Sequence, residues 1–354
     1  MDSSKDMLIV TDDGLFCRAG GFHIDPWRPV ERAVVTHAHS DHARWGCRRY
    51  LAPESGVRLL STRLGPDVDV AGVPWLQPVT IGDATVSFHP AGHILGSAQI
   101  RVEVAGEVWV VSGDYKTDSD ATCAPFEPVR CHTFVTESTF GLPIYRWAPQ
   151  SETFAEINAW WRKNKDESRA SVLCGYSLGK AQRLISGLDA GIGSIFTHGS
   201  VERVCTDYRA EGVPLPPTTP VWSTPPKTKY DGAMIIGPPS VAGTPWMKRF
   251  GDFRMAFASG WMQIRGTRRR RAVDRGFALS DHADWPGLLG AIQATGATRI
   301  LATHGYIAPL VRWLREHGYE AEALKTAFKG EQLDAVEPEA ADEDVSVAVT
   351  PEAT

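Results

Sequence analysis

Within residues 34–42, VVTHAHSDH, three histidines and an aspartate fall within six positions, directly behind an apolar, β-branched run. Such a run reads as a buried strand, and its end as a place where polar side chains can gather. Side chains alternate on an extended backbone, so His37 and His39 can aim their imidazoles at a single ion. Asp41 and His42, where the chain turns, can serve a second ion beside it. A lone histidine is more often a satisfied polar residue than a ligand, but that reading would have to hold for four neighbouring residues at once. Nitrogen and oxygen donors without thiolate suit Zn²⁺ or Mn²⁺ in an open catalytic site better than in a closed structural one.

The elements that must position these groups are legible in outline. With 354 residues, 43% of them hydrophobic, and 33 glycines, the chain can form one large domain or two of ordinary size. No run approaches a membrane span, and the first residues lack a basic stretch followed by a long apolar core; a cytoplasmic protein without membrane association is expected. Cysteines 17, 47, 123, 131, 174 and 205 form no CxxC pair and read as reduced, mostly buried thiols rather than ligands. Residues 8–35 read as short strands and turns. From 79 to 114 apolar alternation broken by glycine predicts strands near 84–88, 98–104 and 107–112, as stacked sheets require. Another strand, residues 133–138, carries Glu137 near its end.

Residues 142 to about 260 read as an inserted α/β unit. A helix over about 151–165 places Phe154, Ile157, Trp160 and Trp161 on one side and leads to a strand at 170–173. That strand opens into GYSLGKAQ, which imitates a phosphate loop. It has one residue too few between its glycines, and Ala181 stands where Ser or Thr would hold Mg²⁺, so nucleotide triphosphate hydrolysis is not expected. A helix N-terminus there can still attract a nucleic-acid phosphate, with Ser177 and Lys180 as the candidate contacts. His198, in Thr197-His198-Gly199, repeats the tripeptide around His304 but lies inside the insert, away from the expected centre. The proline-rich stretch 214–227 reads as a surface loop. His23 and His89 lack motif support and read as structural. Asp25, before Pro26, is either a turn former or a partner of the 37–42 segment.

The HxHxDH pattern resembles the signature of the metallo-β-lactamase superfamily. The resemblance implies further ligands, and AGHILGS supplies His93 while VVSGD supplies Asp114. It implies that His37, His39 and His93 hold one metal, that Asp41 and His42 hold the other, and that Asp114 bridges them. Glu137, FALSDHAD with His282, and ILATHG with His304 resemble the three additional motifs of the β-CASP nuclease branch. Together these resemblances imply an α/β fold, a metallo-β-lactamase αββα sandwich with an inserted α/β β-CASP domain. Its segments are 1–141 and 261–330 for the sandwich, 142–260 for the insert, and 331–354 for a disordered acidic tail with eight acidic residues and no Lys or Arg. The branch also implies that Glu137 orients His282, which meets the scissile phosphate and protonates the leaving oxygen, that His304 completes the second metal site, and that Asp41 is catalytic as well as a ligand.

The β-CASP resemblance spans about residues 20–325, and the whole chain is similar to bacterial ligase-associated, Artemis-like DNA exonucleases, through GGFHIDPWRPVERAVVTHAHSDHAR, HPAGHILGSAQIRVE, the segment from VSGDYKTD to GLPIYRW, and GKAQRLI. That similarity implies a two-metal DNA exonuclease acting on single-stranded ends in repair. It further implies Zn or Mn as cofactor, with Fe as an option, and association with an ATP-dependent DNA ligase and a helicase. One departure keeps RNA open as the substrate: His304 stands where Artemis-like DNA enzymes usually carry valine. Other hydrolases of the superfamily would need neither the insert nor the downstream motifs, and non-catalytic β-CASP scaffolds have lost ligands that this chain keeps. Although the formal net charge is −5, the arginines at 265, 268, 269, 270, 271 and 275 sit just ahead of His282. Arg268, Arg269, Arg270 and Arg271 form either a solvated loop or a grip on the nucleic-acid backbone entering the site.

Overall fold

The computed structural model describes residues 6–264 and 274–326. Arg268, Arg269, Arg270 and Arg271 and the acidic segment 331–354 lie outside the described residues. The described chain is mixed α/β, with three sheets.

The first sheet runs in chain order through β1 (Leu8–Thr11), β2 (Gly14–Cys17), β3 (Phe22–Ile24), β4 (Arg32–Val34), β5 (Arg49–Pro53) and β6 (Val70–Val73). It starts as an antiparallel meander and turns parallel from β3 onward. The second comprises β7 (Val79–Ile81), β8 (Ala84–Pro90), β9 (Ala98–Val104), β10 (Glu107–Val111), β11 (Thr133–Ser138), β18 (Arg299–Gly305) and β19 (Glu320–Ala323). Its order is β19-β18-β11-β10-β9-β8-β7, so two strands from the far end of the chain join β11 on its parallel side. Val34, Ile24 and Phe22 of the first sheet share one core with Val86, Ile100, Trp109, Val135 and Leu301 of the second. The period-two alternation of a strand explains the opposite face. Phe134, Ile300 and Ala302, neighbours in sequence of Val135 and Leu301, pack instead against α5 (Trp285–Thr295) and α6 (Ile307–Glu316). The other face of the first sheet, through Ala33, Tyr50 and Ala52, is covered by α1 (Val57–Leu64) and by Val204 and Tyr208 of α4 (Gly199–Ala210).

The third sheet is parallel throughout and ordered β14 (Thr219–Pro220), β13 (Ile195–Thr197), β15 (Met234–Gly237), β12 (Ala170–Cys174), β16 (Phe253–Ala258) and β17 (Arg275–Phe277). Helical residues such as Ile157, Trp161, Leu184 and Val201 cover one face and Val221, Val241, Met247 and Phe250, from short 3-10 turns, cover the other, so its central strands are apolar without alternation and every residue of β12 and β15 is buried. α2 (Gln150–Asp166) buries Ile157, Trp160 and Trp161 as its spacing predicts. β17 pairs with β16, so this sheet runs past residue 260, where the insert was expected to end. The reason is tertiary: a three-residue strand needs its partner to exist. No helix among the described residues is long and apolar enough to cross a membrane. The six cysteines form no disulfide with one another, and four of them are buried.

Candidate metal centre

In the second sheet β10, β11 and β18 run parallel and so end on the same side, which places the polar residues at their ends together. Residues 36–42 follow β4, Asp114 follows β10, Glu137 lies near the end of β11, and His304 near the end of β18. The loop between β8 and β9 brings His93. The register is tight: Ala98 N–H donates to Thr36 O at 2.8 Å, and a Cβ on Gly113 would stand 2.6 Å from the Thr36 side chain. Gly113 also needs φ +56°, so glycine there lets Asp114 close on the 36–42 turn.

His37, His39, His93 and Asp114 converge first. His39 Nδ1 lies 3.1 Å from both His37 Nε2 and His93 Nε2, and Asp114 Oδ2 lies 3.6 and 3.7 Å from those two nitrogens. Their outer partners settle which nitrogen carries the proton. His93 Nδ1 faces the Asp281 carbonyl at 2.8 Å and His39 Nε2 faces the Leu178 carbonyl at 3.1 Å, and a carbonyl only accepts. Thr36 Oγ1 donates to Asp25 at 2.6 Å and therefore accepts from His37 Nδ1 at 3.0 Å. Three imidazole lone pairs and a carboxylate oxygen thus point at one another with no proton between them, which is favourable only around a cation. A tetrahedral ion with donors at 2.0–2.1 Å spaces those donors by about 3.3 Å, so this set fits Zn²⁺ or a similar ion. Burial, with neighbouring imidazoles adding, holds the basicity of His37 and His93 well below that of a free imidazole and keeps them neutral.

A second set adjoins it. Asp114 Oδ1 lies 2.9 Å from His304 Nε2 and 3.5 Å from His42 Nε2, and Asp41 Oδ2 is 3.8 Å from the same His42 nitrogen. One carboxylate therefore turns an oxygen to each set. Burial alone would raise the pKa of Asp114, but His42, His282 and the bond from His304 outweigh it and hold the carboxyl well below its usual range. Asp25 accepts from His42 Nδ1 at 2.7 Å and from Thr36 N at 2.8 Å, so the partner reading of Asp25 is the one the structure bears out. A cavity of about 60 Å³ beside the second set, lined by Trp27, Asp41, His42 and His304 among others, has room for several waters.

His282 stands beside both sets. Its Nδ1 donates to the Glu137 carboxylate at 2.9 and 3.0 Å, and its ring centroid is 4.7 Å from that of His93. Glu137 is fully buried and also accepts from Tyr115 N at 2.8 Å, so its orientation is doubly set.

Other expected site residues lie elsewhere. Lys180 is 1% exposed, its Nζ paired with Asp281 at 2.8 Å and donating to Leu279 O at 3.1 Å, so it is committed inside the protein rather than offered to a phosphate. Ser177 Oγ meets Ser200 Oγ at 2.7 Å. His198 caps α4 by accepting from Ser200 N. His23 packs on Phe16, and His89 sits beside Ser87 with its pKa pushed down to about 4 by burial and Arg101. Sequence reasoning missed Arg183, which is 1% exposed and pairs with Asp120 and Asp281 at 3.0 Å. Its only signal was a cation inside an otherwise buried helical turn.

No protein-family model matches the chain. It is similar to a probable DNA ligase from Opitutus terrae, 30% identical over 319 residues that cover 88% of this chain and 30% of that one. Cleavage and polyadenylation specificity factor 73 of Drosophila melanogaster is 24% identical over 195 residues, 48% of this chain and 27% of that protein. Endoribonuclease ysh1 of Aspergillus fumigatus is 28% identical over 113 residues, 31% of this chain and 13% of that protein. The chain thus spans less than a third of the length of each of these relatives. A solved structure of a protein of unknown function from Enterococcus faecalis V583 shares the fold at a TM-score of 0.56 and 12% identity, covering 85% of this chain and 80% of that one. The chain therefore resembles the β-CASP nucleases of the metallo-β-lactamase superfamily, together with a ligase-named bacterial protein.

Proposed function

We propose that this chain is a metal-dependent phosphodiesterase, a DNA exonuclease that works on single-stranded ends in cytoplasmic DNA repair. The observation that carries this reading is the single Asp114 carboxylate turned to two donor sets, with the Glu137-held His282 beside them. The fold that belongs with it is an αββα sandwich made by the first two sheets and their helices, with the third sheet as the inserted β-CASP domain. His37, His39, His93 and Asp114 would hold one ion, and Asp41, His42, His304 and Asp114 the other. Zn²⁺ or Mn²⁺ there, or Fe, supplies Lewis-acid polarisation of the phosphate and a water of lowered pKa. His282, fixed at Nδ1 by Glu137, presents its other nitrogen to the phosphodiester and gives a proton to the leaving oxygen. Asp41, at the rim of the second set, helps to orient the attacking water.

Similarity to the probable DNA ligase supports a functional association with an ATP-dependent DNA ligase. Association with a helicase rests on the sequence resemblance alone. RNA is the second reading, and it has its own support: His304 lies 2.9 Å from Asp114, and several similar proteins are named endoribonucleases.

The test is cleavage of end-labelled single-stranded DNA and matched RNA with Zn²⁺ or Mn²⁺ by wild type, Asp41→Ala and His282→Ala. Stepwise shortening of DNA that both substitutions abolish is the expected result. Preferential cleavage of RNA replaces the DNA reading with the RNA one, and no cleavage by metal-loaded wild type overturns both.

A further inference from the structure

The loop GYSLG and the helix after it resemble a phosphate loop in sequence, yet the structure turns them inward. α3 (Lys180–Ser186) is short, Gly179 N–H is taken by Gln182 Oε1 at 2.8 Å, and Ala181 N–H by Tyr176 O at 2.9 Å. What the segment meets instead is the first donor set.

We infer that residues 174–183 form a clamp that sets two of the three histidines of that set, with the Leu178 carbonyl, Lys180 and Arg183 as its positioning groups. The inference rests on reading His37, His39, His93 and Asp114 as a metal set. Two arms reach the histidines. In one, Leu178 O accepts from His39 Nε2 at 3.1 Å and so leaves the Nδ1 lone pair facing the centre. Seating this arm requires glycine at 179: φ is +88°, and a Cβ would come within 2.2 Å of Ile94 Cγ2.

The other arm works through Asp281. Its backbone carbonyl accepts from His93 Nδ1 at 2.8 Å, which leaves the His93 Nε2 lone pair facing the centre. Lys180 Nζ at 2.8 Å and an Arg183 terminal nitrogen at 3.0 Å hold the carboxylate of the same residue. Arg183 also donates to Ser280 O at 2.9 Å and to His93 O at 3.0 Å, tying the 92–93 and 279–282 loops together. Both cations are 1% exposed. Buried ion pairs seldom add much stability, since desolvation offsets their attraction, and their best-attested use is to fix one arrangement over others. Here the arrangement fixed is the direction of two imidazoles, and the hydrogen-bond partners of metal-bound histidines set affinity in this way. The second set is oriented from other elements, His42 by Asp25 and His304 by β18.

The test is titration of metal-free full-length protein with Zn²⁺ and with Co²⁺, whose visible spectrum reports donor geometry. Wild type should take up two equivalents. In Arg183→Lys one equivalent should bind about 10- to 100-fold more weakly with a changed Co²⁺ spectrum, while the other stays within about twofold. Lys180→Met, which leaves the Arg183 contacts in place, should shift the same equivalent in the same direction and decides the matter if Arg183→Lys does not fold. Wild-type affinity and spectrum in the folded variants, or equal weakening of both equivalents, overturns the clamp while leaving the nuclease reading intact. Selective weakening in a protein whose wild type cleaves neither DNA nor RNA keeps the clamp and overturns the nuclease reading. A wild type that takes up no divalent ion overturns the metal reading beneath both.

Discussion

Asp25 serves three groups with one carboxylate, the Thr36 amide, the Thr36 hydroxyl and His42 Nδ1, and holds φ +43° to do so. Aspartate tolerates that left-handed backbone better than most residues, so the strain there is modest. Glu137 plays the matching part for His282, but at the reacting end of the site. Glu137→Gln keeps shape and volume while removing the charge that favours a protonated ring and offering an amide N–H₂ where an acceptor is needed. The expected outcome is a fall in kcat of about 10²- to 10⁴-fold with KM little changed, measured on single-stranded DNA. Two metal equivalents should still bind, because the Glu137 carboxylate is engaged by His282 and the Tyr115 amide.

The elements that matter most are β11 and β18. They pair in parallel until Glu137, where the register shifts so that Ser138 lies opposite Gly305. The shift lets Ser138 Oγ donate to His304 O at 2.5 Å and turns His304 toward Asp114. Gly305 makes it possible, with φ +89° and a virtual Cβ only 2.3 Å from Ser138 O. Gly305→Ala should therefore cost roughly 3 kcal/mol, since a positive φ and a backbone clash act together. The check is the urea midpoint of the metal-free protein. A companion metal titration should show the equivalent at the His304 set weakened, because the backbone that must move carries that ligand.

At the scale of the molecule, charge and substrate must be reconciled. The chain is acidic overall, at a formal net charge of −5, while the proposed substrate is a polyanion. Arg268, Arg269, Arg270 and Arg271 precede the His282 motif in the sequence. Replacing these four with serine should weaken binding of single-stranded DNA and flatten its salt dependence, by about 0.7 in the log–log slope for each phosphate no longer neutralised. The measurement is affinity with divalent ions chelated, from 50 to 200 mM salt, so that it does not depend on turnover. An unchanged slope would return these arginines to a solvated loop. The segment after β12 of the third sheet also reaches the centre: Leu178 meets His39 of the 36–42 turn, and Lys180 and Arg183 join the 92–93 and 279–282 loops.

The short-range part of this protein was legible from its residues alone. His37, His39, Asp41 and His42 could be paired with two ions because alternation and a turn are local rules. The mixed α/β character, the strands at 98–104 and 84–88, and the buried side of α2 followed from the same periodicities. The resemblance to a nuclease branch joined His93, Asp114, Glu137, His282 and His304 to that segment, residues whose separation along the chain no local rule spans. That Asp114 turns one oxygen to each set, and that Asp25 is a partner rather than a simple turn former, emerged from the packing of the sheets. So did the inward turn of Lys180 and the place of β17 in the third sheet. The physical reason is common to these cases. Each depends on which loops meet across packed sheets, and whether a lysine grips a phosphate or a buried aspartate is set by what lies opposite it in space.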